Sequence, residues 1–193
     1  PQYLQNVAGL NALQSGLILL PGSVLMGLLG PIMGRVYDAR GTRPLLIPGT
    51  IFVSAALFYY STVGEHTVWW VLIIVQAVMS VGLAMSFTPL FSASLGSLQR
   101  SLYSHGSAVL NTLQQVGGAA GVAVLTVTYS EILHAGEAEG LETAAAGAPG
   151  ARMAFLIAAI ISLAAVALSA FVRKPADEDR KSTRLNSSHM SIS

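Results

Sequence analysis

Long apolar stretches alternate with short polar ones along most of the chain. Five runs, Ser15–Gly34, Leu45–Thr62, Val68–Leu95, Ser107–Tyr129 and Arg152–Val172, approach or exceed the roughly 20 residues needed to cross a bilayer. None carries an acid or a base in its middle. The pattern predicts an all-α integral membrane protein with five transmembrane helices within residues 1–174. The opening "PQYLQN" reads as the last turn of a preceding helix, so the chain is expected to be a fragment. The third run is longer than the hydrocarbon core requires. It must tilt or protrude, and Pro89 marks a bend.

Composition supports this class. Of the 193 residues, 53% are hydrophobic and 10% are charged, with a mean hydropathy of +0.63. A soluble domain carries about 25% charged residues. The net charge of +1 gives no footprint for nucleic acid, and the absence of cysteine excludes disulfides and thiolate chemistry. Residues 175–193 read as a disordered tail. Its end, "KSTRLNSSHMSIS", resembles a translated cloning or sequencing adapter, so Lys181–Ser193 is set aside.

The loops give orientation. Arg35, Arg40 and Arg43 follow the first run, Arg100 the third, and Arg173 and Lys174 the fifth. The alternate loops hold Glu65, Glu131, Glu137, Glu139 and Glu142, with only Arg152 at a boundary. The positive-inside rule places the arginine-bearing loops in the cytoplasm. Tyr59, Tyr60, Trp69, Trp70 and Tyr129 then fall at the outer interface. "EILHAGEAEGLETAAAGAPG" reads as a solvated connector, with an acidic cation-attracting lip as the alternative. His134 lacks a second ligand at metal spacing, and His66 and His105 read as interfacial polar residues, so no metal or cofactor is expected.

Polar residues inside the runs are few. At 100° per residue, Ser107, Asn111, Gln114, Gln115, Gly118 and Gly121 fall within a sector of roughly 120°. Amides in hydrocarbon are costly without partners. Asn111, Gln114 and Gln115 must therefore face a water-filled cavity or bond across to another helix. Gly117, Gly118 and Gly121 would allow close helix approach. Gln76 is a second cavity candidate, above the small-residue stretch "MSVGLAMS". In the first run, Gly27, Gly30 and Pro31 make a thin, bendable helix suited to a protein that rocks between two states. The plainer reading is an irregular packing helix.

The stretch "MGRVYDARGTRP" poses a question. Asp38 lies where a helix should end, and helix C-termini carry partial negative charge. A carboxylate there needs a positive answer, and a helix N-terminus supplies one.

"GRVYDARGTR" resembles the signature loop of the major facilitator superfamily, G-x-x-x-D-[RK]-x-G-[RK]-[RK]. Gly34, Asp38, Gly41 and Arg43 match it, while Ala39 and Thr42 depart at usually basic positions. With "YLQNVAGLNALQSGLILLPG" before it and "NTLQQVGGAAGVA" after, the order resembles the C-terminal part of the fourteen-span drug:proton antiporters of the EmrB/QacA type. That likeness implies a helical bundle in a bacterial inner membrane. It also implies a missing N-terminal half as partner, and exchange of protons for an amphipathic small molecule by alternating access. It implies a gating loop of Gly34, Arg35, Asp38, Arg40, Gly41 and Arg43, whose aspartate caps a helix in the other half. The glycine–proline pattern of the first run is an echo of the family's antiporter motif and carries no argument for antiport.

Two other readings compete. One is a carrier of a metabolite or amino acid, the other a non-transporting membrane scaffold. An enzyme would need His, Asp, Glu or Ser–base clusters at membrane depth, and the runs contain none.

Overall fold

The structure is a computed structural model that describes residues 2–64 and 67–172. Glu65, His66, Arg173, Lys174 and the predicted tail lie outside the described residues. The described residues form a π-helical turn, Tyr3–Val7, and five helices. These are α1 (Ala12–Arg40), α2 (Arg43–Tyr60), α3 (Trp69–Gly96), α4 (Tyr103–Ala138) and α5 (Thr143–Ser169). All five are long and apolar enough to cross a membrane.

Local chemistry sets the ends. Asn11 and Gln14 form a reciprocal capping box: the Gln14 N–H donates to Asn11 Oδ1 at 2.8 Å, and the Asn11 N–H donates to Gln14 Oε1 at 3.0 Å. Gly41 stops α1 at φ +82°, a conformation that disfavours side chains, and its N–H donates to Tyr37 O at 2.8 Å. Pro44 then opens α2 in its first turn, where a missing N–H costs nothing.

The packing order is α1, α3, α2, α5, α4, with α1 barely touching α2. Small residues set the spacing. A Cβ on Gly82 would lie 2.7 Å from Gly49 O, and one on Gly49 would lie 2.9 Å from Gly82 O. Helices α2 and α3 thus touch backbone to backbone, as the small residues of "MSVGLAMS" suggest. Helices α2 and α5 meet through hydroxyls: Ser54 Oγ lies 2.7 Å from Ser162 Oγ, and Thr50 Oγ1 lies 3.5 Å from Ser169 Oγ.

The acidic segment read as a connector is largely helical. Helix α4 runs to Ala138 and α5 starts at Thr143, leaving a turn of four residues. Packing decides it: a Cβ on Gly150 would meet Tyr129 O at 2.8 Å, and one on Gly136 would meet Ala146 Cβ at 2.8 Å. The small residues are an interface, not a hinge. Helix α4 has 36 residues, about 54 Å at 1.5 Å per residue, against a hydrocarbon core of about 30 Å.

Candidate functional site

Three places hold the residues singled out from sequence. At the arginine-rich end, Asp38 lies in the last turn of α1, where the helix dipole is least favourable to it. Arg35, Asp38, Arg40 and Arg43 are exposed, and Gly34 and Gly41 are half-buried. The connection itself is only Gly41 and Thr42, and Thr42 is buried at 2% exposure. The loop is short, and its charged residues are exposed.

The second place is α4. Every residue from Asn111 to Val124 is exposed, so this stretch of α4 is bare on its polar and apolar sides alike. Asn111, Gln114 and Gln115 form no side-chain hydrogen bond among the described residues. A Cβ on Gly117, Gly118 or Gly121 would meet nothing within 4 Å, and the same holds for Gly27 and Gly30 on α1. Pro31 beside them is exposed. Close helix approach in this chain is made by other glycines, namely Gly22, Gly49, Gly82, Gly136, Gly147 and Gly150.

The third place was only partly foreseen. Gln76 lines a cavity of about 280 Å³ with Tyr3, Ile18, Leu19, Tyr60, Met79 and Phe155 among its walls. Tyr60 does not join the interfacial belt, since it is 7% exposed. Its hydroxyl finds partners inside, donating to Gln76 Oε1 at 3.2 Å and to Leu72 O at 3.3 Å. Its ring stacks on Phe155 with centroids 5.0 Å apart. Tyr3 meets the same Phe155 ring edge-on at 6.4 Å. Tyr129 is also buried, at 4%, and accepts from Asn6 Nδ2 at 3.2 Å. Tyr59, Trp69 and Trp70 are exposed.

A clamp closes the end above this cavity. Tyr3 donates to Gly64 O at 2.9 Å, Arg152 Nε donates to Val63 O at 2.6 Å, and the Gly64 N–H donates to Thr67 Oγ1 at 2.9 Å. Burial raises the Tyr3 pKa, against the lowering pull of the Thr67 hydrogen bond and the Arg152 charge. The phenol therefore stays a neutral donor. In the sequence Arg152 stands out only as a charge at a boundary. Tyr3, Tyr60 and Phe155 carry no local signal, because they meet from three distant segments.

Comparison with known proteins now decides the family. Residues 1–122 match the model of the Major Facilitator Superfamily. The chain belongs to the major facilitator superfamily. It is similar to the lincomycin resistance protein LmrB of Listeria monocytogenes, 38% identical over 183 residues. That match covers 90% of this chain and 38% of the relative. It is similar to the MFS-type transporter YcnB of Bacillus subtilis, 36% identical over 176 residues, 91% of this chain and 37% of the relative. A multidrug resistance protein B homolog of Mycobacterium tuberculosis is 30% identical over 141 residues, 69% of this chain and 26% of the relative. The chain thus spans well under half the length of these relatives. No solved structure matches. Superfamily membership and five apolar helices make this a multi-pass membrane protein.

Proposed function

We propose that this chain is the C-terminal part of a proton-coupled multidrug efflux transporter of the bacterial inner membrane, working by alternating access. The observation that carries the reading is the set of uncovered amides on α4. Three amides within five residues, Asn111, Gln114 and Gln115, lie exposed in a stretch of α4 that is uncovered all round. In hydrocarbon each would cost several kcal/mol, so water, substrate or another polar helix must cover them. Relatives named for lincomycin and multidrug resistance favour a drug path over a metabolite path. The remaining part of the transporter would supply the opposite wall and the proton-carrying acids.

In this reading Asp38 and its arginines form one half of the gate. The exposed carboxylate caps a helix N-terminus of the other half in one state and releases it in the other. Gly27, Gly30 and Pro31 let α1 flex, and Gly117, Gly118 and Gly121 admit the facing helix closely.

Replacement of the stripe amides tests the proposal. In the full-length transporter, Asn111→Leu and Gln115→Leu are expected to change which of a panel of cationic and neutral dyes is exported. The effect on abundance should be smaller. An unchanged profile with halved abundance would move both residues from the path to the scaffold.

A further inference from the structure

The cavity beneath Tyr60 has a lining that defines an occupant. Its walls come from the first turn, α1, α2, α3 and α5, and they are aliphatic or aromatic apart from Gln76 and the tyrosine hydroxyls. No carboxylate, lysine, arginine or histidine is among its lining residues. A charged group would enter without a counter-charge and lose its water.

The polar atoms are already partly committed. The single Tyr60 proton is shared between Leu72 O and Gln76 Oε1. The Tyr3 proton goes to Gly64 O. Gln76 makes no other hydrogen bond among the described residues, so its amide NH₂ is the donor left to the cavity. Phe155 already holds Tyr60 on its face and Tyr3 at its edge, so the aromatic wall is preset. Met79 adds a polarisable thioether, which favours contact with ring edges. At about 280 Å³ the space lies just below the range for whole drug-sized ligands, so it holds part of a compound.

We propose that this cavity is a subsite for an uncharged aromatic ring that carries a hydrogen-bond acceptor, the apolar end of an amphipathic substrate. It rests on the transport reading above and adds which end of the substrate the cavity takes. The acceptor bonds the Gln76 amide, the ring packs against Phe155 and Tyr60, and any cationic end stays outside. A lipid acyl chain fits the walls but leaves the amide unanswered, which disfavours it.

The test is photolabelling of the full-length transporter in lipid nanodiscs with (4-benzoylbenzyl)trimethylammonium. This probe has an aromatic ketone at one end and a fixed cation at the other. On irradiation the ketone inserts into a nearby C–H bond, so the labelled residue reports where the ring sits. The expected result is label on Met79 or Leu72, reduced at least fivefold by Gln76→Leu. Leu19→Trp, which fills the cavity and keeps the amide, is expected to remove it as well, so the proposal does not hang on one variant folding. Unlabelled benzophenone should compete, and tetrabutylammonium should not. Label confined to Asn111–Gln115 would overturn the subsite and leave the transport reading standing. Label at Met79 that survives Gln76→Leu in a well-folded variant would overturn the acceptor contact. No label anywhere, with no export of the probe by wild type, would count against both.

Discussion

Two glycines in the α1–α3 and α2–α3 contacts should respond differently to the same substitution. Alanine at Gly22 places a Cβ 2.6 Å from Ser80 Oγ, 3.0 Å from Gln76 Cγ and 3.4 Å from Gln76 O. The only severe contact is the end of a short side chain. Turning Ser80 away costs about 0.5–1.5 kcal/mol if it must leave its preferred rotamer. Replacing glycine by alanine inside a helix returns about 0.8–1.0 kcal/mol. Gly22→Ala should therefore fall within about 0.7 kcal/mol of wild type. Alanine at Gly82 instead places its Cβ 2.7 Å from Gly49 O, with Phe52 Cβ and Val53 Cγ2 at 3.0 Å. A backbone carbonyl cannot rotate away, so α2 and α3 must part, and overpacking of this kind costs about 1–3 kcal/mol. The net loss reaches about 2 kcal/mol after the helix gain.

A double-mutant cycle isolates the cause. With Ser80→Ala the nearest remaining contact to a Cβ on Gly22 is Gln76 Cγ at 3.0 Å. In that background Gly22→Ala should become stabilising, by up to about 1 kcal/mol, while Gly82→Ala keeps its full penalty. The assay is thermal unfolding of the full-length transporter in one detergent, with each variant checked for monodispersity. At roughly 2–4 °C per kcal/mol, Gly82→Ala should melt several degrees below wild type at the upper end of that loss, with Gly22→Ala within about 3 °C of it. A Gly82→Ala variant that melts above Gly22→Ala would refute the reasoning. So would a Gly22→Ala cost that Ser80→Ala does not relieve.

Three further outcomes are expected. Cysteine at Arg40 should be hidden from an impermeant thiol reagent in intact cells while cysteine at Glu139 reacts, because the arginine-bearing loops are placed in the cytoplasm; the reverse labelling would invert the topology. Asp38→Asn in the full-length transporter should lower export at normal expression, by up to about 30-fold for a helix-capping contribution of roughly 0.3–2 kcal/mol; wild-type resistance from a well-expressed variant would remove the gate role. Gly64→Ala should dislodge Arg152, whose guanidinium lies 2.5 Å from where that Cβ would sit, and should open the segment after α2 to added protease; an unchanged digestion pattern would show that the clamp does not hold that end.

Parts of this architecture were legible in the sequence because they depend on local or periodic features. Span existence follows from unbroken apolar length, and the stop after α1 follows from Gly41, whose φ of +82° suits glycine. The 100° spacing groups the amides of α4 on one side, but periodicity names a face and not what covers it, and this stretch is exposed all round. What escaped depends on distant partners. Tyr60 looked like an interfacial tyrosine until Gln76 and Phe155 came to it from α3 and α5. Ser54 and Ser162 are 108 residues apart, and neither neighbourhood marks them as a pair. The stretch before Ala151 looked like a connector because its glycines and Pro149 are breaker signals and its glutamates suit solvent. Its alanines and glycines instead pack on α4, and tertiary contact overrides weak local preference.

The distribution of packing carries a mechanical consequence. Helices α2, α3 and α5 sit in the middle of the packing order and hold the backbone contact at Gly49 and Gly82 and the serine pair at 54 and 162. Helices α1 and α4 sit at its two ends: α1 packs along its length mainly on α3, and α4 is exposed all round from Asn111 to Val124. The signature aspartate and the polar stripe lie on those two end helices. The division follows from energetics. Close-packed helices resist change because any shift opens voids or forces clashes. A helix held on one side only can exchange its other partner at little internal cost. For α4 the exposed amides sharpen the point, since lipid cannot cover them without a penalty of several kcal/mol each. On the transport reading, the amide side of this stretch is met by water in one state and by polar groups in the other. Switching between those two kinds of cover is the exchange that opening and closing a cavity performs.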